Sequence, residues 1–258
     1  MMRKTGLCLA AALVIVLSMN STASAHFGMV LPSDQMIMQG DSKTIQLALL
    51  FWHPFEGKGM DLVKPKDFSV FYDGKKQDLL ATLKEKKLGQ NLTWETAYQI
   101  GRPGLYVFVM EPQPYWEPQE DCFIIHYTKA YAAAYGDDEG WDKPLGLKTE
   151  IVPLAKPYGL YAGNVFQGQV LLDGKPVPGA DVEIEYYMNG KAGKAPSDYM
   201  VTQTVKADPN GIFTYAAPKA GWWGFAALNT SDQKMKKDGQ DKDIEIGAVI
   251  WVRFHDMN

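Results

Sequence analysis

The sequence predicts an all-β protein that consists of two β-sandwich domains. Short runs rich in β-branched and aromatic residues recur at intervals of about ten residues, as is typical of sandwiches. Turn signals separate these runs, for example Asp73-Gly74 and Asp208-Pro209-Asn210-Gly211. Residues 180–188 alternate between apolar and polar side chains, which indicates a strand with one buried face.

The first 25 residues have the three parts of a secretory signal peptide. Arg3 and Lys4 give a positive start, residues 7–17 are apolar, and Ala23-Ser24-Ala25 supplies the small residues of a cleavage site. The apolar part is shorter than the roughly 20 residues that a transmembrane helix needs. We therefore expect a periplasmic protein whose signal peptide, residues 1–25, is cleaved after Ala25.

The first sandwich is predicted over residues 26–152. Residues 44–52 are apolar on both faces, and His53-Pro54 ends this strand because proline cannot donate to a sheet. Residues 79–88 fit either a short helix or a strand, since periodicity does not decide between them. Further strands are predicted at residues 68–72, 92–100, 105–110 and 123–127.

The second sandwich is predicted over residues 153–258. Pro153 and Pro157 lie close together, so we expect a stiff linker rather than a strand over residues 149–158. Residues 231–243 carry mixed charges and are expected to form a solvated loop. Strands are predicted at residues 165–172, 180–188, 200–207, 212–216, 221–228 and 244–254.

Composition and motifs exclude several classes of function. The 30 Asp and Glu residues outnumber the 26 Lys and Arg residues, and a mildly acidic protein is a poor candidate for binding nucleic acid or an anionic membrane. Cys122 is the one cysteine left after cleavage, so an intrachain disulfide is excluded. The sequence lacks the serine-hydrolase, zinc-protease and nucleotide-binding motifs, and we expect a binding protein rather than an enzyme.

The candidate metal ligands are His26, His53 and His126. A histidine at the mature N-terminus carries an imidazole and a free α-amine, and these two nitrogens can chelate one metal ion. His53 follows one predicted strand and His126 lies near the end of another, so both can reach the same rim of a sandwich. Three imidazoles and an amine would offer a set of nitrogen donors that suits nickel(II) or copper(II).

The sequence leaves open whether several other side chains belong to this site. Cys122 fits either a buried thiol or a soft ligand, and His255 is expected at the surface. Glu117, Glu120 and Asp121 fit either carboxylates that orient a ligating imidazole or solvated charges. Some methionines fit either a copper(I) site or the apolar core. These methionines are Met29, Met36, Met38 and Met60.

Five segments carry a resemblance to a known family. They are AHFGM at 25–29, FWHPFEGKGM at 51–60, PYWEPQEDCFIIHYTK at 114–129, residues 150–186 and GWWGFAAL at 221–228. Together they resemble the periplasmic nickel/cobalt-uptake component family (CbiK/NikM-like). The second half, with its DGKPVPGA and NGIF turns, also resembles transthyretin-like and carboxypeptidase-regulatory-like sandwich modules.

The resemblance implies that the protein binds nickel or cobalt outside the inner membrane, with His26, His53 and His126 at the matching positions. It also implies delivery of the ion to an energy-coupling-factor type importer. Two alternatives stay open. A copper protein would use the same N-terminal histidine as a brace, either as a chaperone or as an oxidative polysaccharide-cleaving enzyme. A carbohydrate-binding or adhesion module would use exposed aromatic side chains and no metal.

Overall fold

The computed structural model describes residues 26–257, so the predicted signal peptide lies outside the described residues. Within this range the chain is all-β, and its two short 3-10 helices are Leu80–Thr82 and Asp198–Met200. The prediction of an all-β sandwich protein is confirmed. No helix among residues 26–257 is long and apolar enough to cross a membrane.

The strands fall into two groups along the chain. The strands of the first group are β1 (Phe27–Pro32), β2 (Met36–Ile37), β3 (Thr44–His53), β4 (Lys58–Met60), β5 (Asp67–Tyr72), β6 (Lys75–Asp78), β7 (Lys84–Leu88), β8 (Asn91–Gln99), β9 (Gly104–Glu111), β10 (Tyr115–Glu117) and β11 (Cys122–Ala134). The strands of the second group are β12 (Thr149–Pro153), β13 (Leu160–Tyr161), β14 (Val165–Leu172), β15 (Lys175–Pro176), β16 (Asp181–Tyr186), β17 (Gln203–Lys206), β18 (Ile212–Ala216), β19 (Gly221–Thr230), β20 (Met235–Lys237), β21 (Gln240–Lys242) and β22 (Ile244–His255).

These strands form two sandwiches that share one long sheet. The long sheet has the main order β17-β16-β19-β22-β11-β9-β5-β6. A five-stranded sheet, with the order β1-β3-β8-β7 and β4 beside β3, belongs to the first sandwich. A four-stranded sheet, with the order β12-β14-β15 and β18 beside β14, belongs to the second. Each sandwich encloses its own apolar core.

The two central strands of the long sheet join the halves of the chain. β11 and β22 run parallel, and their pairing extends from Phe123 opposite Ile244 to Ala130 opposite Trp251. On its other side β22 pairs antiparallel with β19. The last strand of the chain is therefore an interior strand of the sheet. Its nearly continuous apolar sequence fits this position, because both of its faces are buried.

Strand β1 lies over the middle of the long sheet. Phe27 and Met29 are fully buried in a cluster with Trp251 of β22. The indole Nε1–H of Trp251 donates to the carbonyl oxygen of Gly28 at 2.8 Å. The segment that directly follows the predicted cleavage site is thus part of the core.

The prediction of a linker over residues 149–158 is wrong for its first half. Thr149–Pro153 forms β12, which is buried and pairs with β14. β12 lies at the edge of its sheet, where a proline at the last position is tolerated. The long sheet contains strands from both sides of residue 152, and the division into domains 26–152 and 153–258 stays a prediction.

The structure resolves one ambiguous segment and corrects the prediction of a loop in another. The segment 79–88, which fitted a helix or a strand, contains the 3-10 helix Leu80–Thr82 and then β7. The segment 231–243, expected to be a solvated loop, contains the antiparallel hairpin of β20 and β21. Lys236 and Asp241 pair across this hairpin at 2.8 Å, so its mixed charges are cross-strand partners.

A buried ion pair ties the long sheet to the second core. Lys129 on β11 and Glu150 on β12 have side chains that are 1% and 2% exposed, and Lys129 Nζ lies 2.8 Å from Glu150 Oε2. The backbone N–H groups of Leu145 and Gly146 also donate to this carboxylate. Burial alone would raise the pKa of Glu150, but Lys129 and the N–H donors lower it below its ordinary value.

We expect Lys129→Met to lower the free energy of unfolding by about 3–5 kcal/mol, because it leaves the buried Glu150 carboxylate without its cation. Urea-induced unfolding measures this change. The control is Lys156→Met, which removes a half-exposed partner of Asp138 and should cost less than about 1 kcal/mol. Equally small losses in both variants would contradict the structural role of Lys129.

Candidate metal centre

The pairing of β1 with β3 brings two of the candidate ligands together. Phe27 lies opposite Trp52, so the antiparallel register places His26 across from His53. The two imidazole rings have centroids 4.4 Å apart and are tilted by 54°. His53 is buried at the end of β3, and the side chain of His26 is only 9% exposed.

The third candidate, His126, lies beneath this pair on β11. It is 1% exposed, and its Nδ1 accepts a long hydrogen bond of 3.4 Å from the backbone N–H of Gly28. Phe51 links His126 to His26, because its ring centroid lies 5.5 Å from that of His26 and 6.0 Å from that of His126. The structure therefore gathers His26, His53 and His126 at one end of the first sandwich.

Two glycines make room for His126. A Cβ atom on Gly247, its neighbour on β22, would lie 2.4 Å from Cδ2 of the imidazole. A Cβ atom on Gly28 would lie 3.1 Å from Cβ of His126 and 2.4 Å from Oγ1 of Thr128. The imidazole is thus packed against backbone from β22 and lies under the backbone of β1. Glycine is needed at both positions because no side chain fits there.

Two of the three imidazoles each contact a carboxylate of their own. Nε2 of His26 lies 3.0 Å from Oε2 of Glu117, whose side chain is also buried. Nε2 of His126 lies 3.1 Å from Oε1 of Glu245. Of the two alternatives for Glu117, the structure shows the one in which it contacts an imidazole. Asp121 instead pairs with Lys242 at the surface.

Burial keeps His26 neutral. It lowers the pKa of this imidazole to about 3, and the charges of His53 and His126 contribute in the same direction. A neutral imidazole contacts a carboxylate favourably only through an N–H, so we assign the proton of His26 to Nε2, which lies 3.0 Å from Oε2 of Glu117. In that tautomer the lone pair of His26 is on Nδ1.

A group of carboxylates borders this cluster. Burial raises the pKa of Glu183 to about 7, and Glu245, Glu120 and Asp181 add to the shift. Burial and the nearby Glu245 also raise the pKa of Glu120. This negative field, after burial, raises the pKa of the Cys122 thiol to about 11. A thiol that keeps its proton at neutral pH is a poor metal ligand.

Of the other side chains considered, His255 lies apart from the cluster. His255 ends β22, ten residues beyond Glu245, which corresponds to roughly 30 Å along a strand. Met29 is fully buried in the core, whereas Met38 is exposed. Among residues 26–257, no group of three or more His, Cys, Asp or Glu side chains is arranged tightly enough to hold a metal ion.

The comparisons identify a family but no function. A family model described as "Domain of unknown function (DUF4198)" matches residues 23–231, more than half of the chain, and the protein belongs to this family. No curated protein matches the chain. The resemblance to the nickel/cobalt-uptake family stays a prediction.

The solved structures that align with the chain are distant. A chimeric titin Z1Z2 tandem is 11% identical, with 86% of this chain and 98% of that chain covered and a TM-score of 0.22. The Yersinia pseudotuberculosis adhesin InvE is 11% identical, with coverages of 88% and 59% and a TM-score of 0.25. Alpha-2-macroglobulin from Escherichia coli is 8% identical, with coverages of 89% and 16% and a TM-score of 0.25. TM-scores of this size support no inference about this chain.

The packing of His126 predicts that Gly247→Ala displaces its imidazole. We expect the free energy of unfolding to fall by about 1–3 kcal/mol, because the added methyl group overpacks this part of the core. Urea unfolding measures the loss, and the imidazole proton signals in NMR spectra report the displacement. Gly101→Ala is the control, since a Cβ atom there meets nothing within 4 Å. Unchanged His126 signals in Gly247→Ala would contradict the tight packing.

The raised pKa of Glu183 predicts a pH-dependent stability. Between the ordinary value of 4.5 and about 7, the folded state binds more protons than the unfolded state, so stability falls as pH rises through this window. Glu183→Gln should therefore stabilise the protein at pH 8, by more than the ~0.5 kcal/mol typical of surface changes, and have little effect at pH 4.

Urea unfolding of both proteins at the two pH values tests this prediction. The control is Glu95→Gln, which removes an exposed partner of Lys86 on the five-stranded sheet. It should change the stability by less than about 0.5 kcal/mol at either pH. A loss of stability for Glu183→Gln at pH 8 would show that the carboxylate is stabilised rather than strained by its neighbours.

Proposed function

We propose that this member of the DUF4198 family binds a divalent transition metal, nickel or cobalt, in the periplasm and delivers it to a membrane importer. The ion is its cargo. In this proposal the ligands are the imidazoles of His26, His53 and His126 and the α-amine that cleavage after Ala25 creates. The role is binding rather than catalysis.

The 3.0 Å contact between Nε2 of His26 and the Glu117 carboxylate is the observation that carries this proposal. An α-amine and the imidazole of the same histidine form a small chelate ring only through Nδ1, because Nε2 points away from the backbone. With its proton on Nε2, His26 donates to Glu117 and keeps the Nδ1 lone pair for an ion. A carboxylate that fixes the tautomer of a ligating histidine is common around protein-bound metals.

His126 also contacts a carboxylate. Its Nε2 lies 3.1 Å from Oε1 of Glu245, and its Nδ1 accepts from the backbone N–H of Gly28, two residues after His26. Nδ1 of His126 is thus turned towards the N-terminal segment. His53 adds a third ring next to His26. Neutral nitrogen donors of this kind favour nickel(II), cobalt(II) or copper(II) over calcium or magnesium.

The low pKa of His26 also supports a metal site. A ligating imidazole must be neutral, and protons compete with the ion wherever it is not. Burial has already lowered the pKa of His26 to about 3, so protons do not compete for this ring near neutral pH. Transfer to an energy-coupling-factor type importer rests on the family resemblance in segments such as residues 51–60 and 114–129.

Copper is the second candidate cargo. A brace of one amine and two imidazole nitrogens offers a planar set of donors, which suits copper(II) particularly well. Phe51 and Tyr115 pack beside His26, and such an apolar surround is compatible with a copper protein. Titration of the mature protein with nickel, cobalt and copper in parallel distinguishes the two candidates.

The N-terminal chelate can be tested by adding one alanine before His26. We expect the extended protein to lose most of its nickel affinity, because the amine at position 26 becomes an amide. Isothermal titration at pH 8 measures the change. The α-amine has an ordinary pKa of about 8, so the affinity of the mature protein should also fall between pH 8 and pH 5.

The matched control is His255→Gln, which removes a histidine at the far end of β22 and should leave nickel affinity unchanged. Tight nickel binding by the extended protein would contradict the proposed N-terminal chelate. If the mature protein binds none of the three ions, the proposed function as a whole is wrong.

A further inference from the structure

Glu185 is a buried carboxylate that the proposed site does not use. It lies on β16 of the long sheet and is 1% exposed. A carboxyl group at this depth is costly unless hydrogen bonds satisfy it. Its partners therefore indicate what it does.

The partners of Glu185 connect it to the loop after His53. The backbone N–H of Phe55 donates to its Oε2 at 3.1 Å. The hydroxyl of Thr202 donates to its Oε1 in a short hydrogen bond. Phe55 is two residues beyond His53, so Glu185 holds the backbone of the segment in which this candidate ligand lies.

Neighbouring residues hold the same segment from the other side. The N–H of Met188 donates to the carbonyl oxygen of Pro54 at 3.1 Å, and that of Gly193 donates to the carbonyl oxygen of Phe55 at 2.7 Å. Residues 185–193 therefore fix Pro54 and Phe55 by three hydrogen bonds. All three come from the second half of the chain, whereas the histidines lie in the first.

A row of paired residues across the long sheet connects Glu185 to the segment that follows His26. Glu185 pairs with Gly224, and Gly224 pairs with Trp251. Trp251 donates to the carbonyl oxygen of Gly28, two residues after His26. A Cβ atom on Gly224 would lie 2.7 Å from the ring of Trp251 and 2.9 Å from that of Phe27, so this glycine lets the two rings approach.

We infer that Glu185 is a positioning residue that sets the place of His53 relative to His26 through the backbone of Phe55. This inference rests on the proposed function for its consequence, the affinity for metal. The second sandwich thereby takes part in a site whose ligands all belong to the first. Glu185 itself is not a ligand.

The test uses Glu185→Ala and Glu185→Gln in the mature protein, titrated with nickel. We expect Glu185→Ala to lose about tenfold or more in affinity, as is usual when a group that orients a ligand is removed. It should also shift the ligand-field absorption of bound nickel, which a loss of stability alone does not do. Glu185→Gln keeps an oxygen that can accept from Phe55 N–H, and it should retain most of the affinity and the spectrum.

The matched control is Glu150→Gln, which alters another buried carboxylate whose partners, Lys129, Leu145 and Gly146, include no candidate ligand. It should lower stability and leave affinity and spectrum unchanged. If Glu185→Ala fails to fold, Thr202→Val keeps the carboxylate but removes its second partner, and a milder change in the same two readouts is expected.

The two ideas fail separately. Wild-type affinity and spectrum in a folded Glu185→Ala would overturn the inference and leave the proposed function intact. If the wild-type protein binds none of nickel, cobalt or copper, the proposed function fails. NMR spectra of the metal-free protein then test whether Glu185 sets the position of His53. In Glu185→Ala, loss of hydrogen-exchange protection at the Phe55 amide together with shifted His53 ring-proton signals supports the inference. Unchanged His53 signals overturn it.

Discussion

The parallel pairing of β11 with β22 is the constraint on which the rest of the structure depends. It runs from Phe123 and Ile244 to Ala130 and Trp251 and makes one sheet out of strands that are far apart in the sequence. The two cores lie over this sheet, and β1 is packed on it through Trp251. His126 and Glu245 also belong to these two strands. The candidate site therefore exists only where both halves of the chain are folded together.

The buried charges show how this architecture tolerates polar groups. Lys129 and Glu150 form a closed pair with backbone donors, so the charges are compensated where they are buried. Glu183 is different, since burial and, after it, the neighbouring carboxylates raise its pKa. The compensated pair of Lys129 and Glu150 stabilises the junction of the sheets. The uncompensated Glu183 makes the region around the histidines sensitive to pH and attractive to cations.

Local patterns predicted most of the longer strands but not β1, and they did not predict which strands pair. The apolar run before His53 and the alternation in residues 180–188 matched β3 and β16, because side-chain periodicity follows directly from strand geometry. β12 was missed because two prolines outweighed the apolar residues before them, and an edge position was not foreseeable. His26 and His53 could be suggested from their places at a terminus and a strand end. Glu245 and Glu185 could not, since their contacts with the site depend on pairings across long stretches of chain.

The packing of His126 against Gly247 under β1 has a consequence for how a bound ion would leave. The imidazole is buried and lies directly against the backbone of Gly247, so another rotamer requires the neighbouring strands to move and this donor keeps one direction. In the proposed site, an ion therefore has to adapt its coordination to His126, which favours discrimination by geometry. Release then depends on the other ligands, through a lifting of the first residues of β1 or a shift of the Pro54–Phe55 segment. A receptor that takes the ion would have to engage one of these two segments.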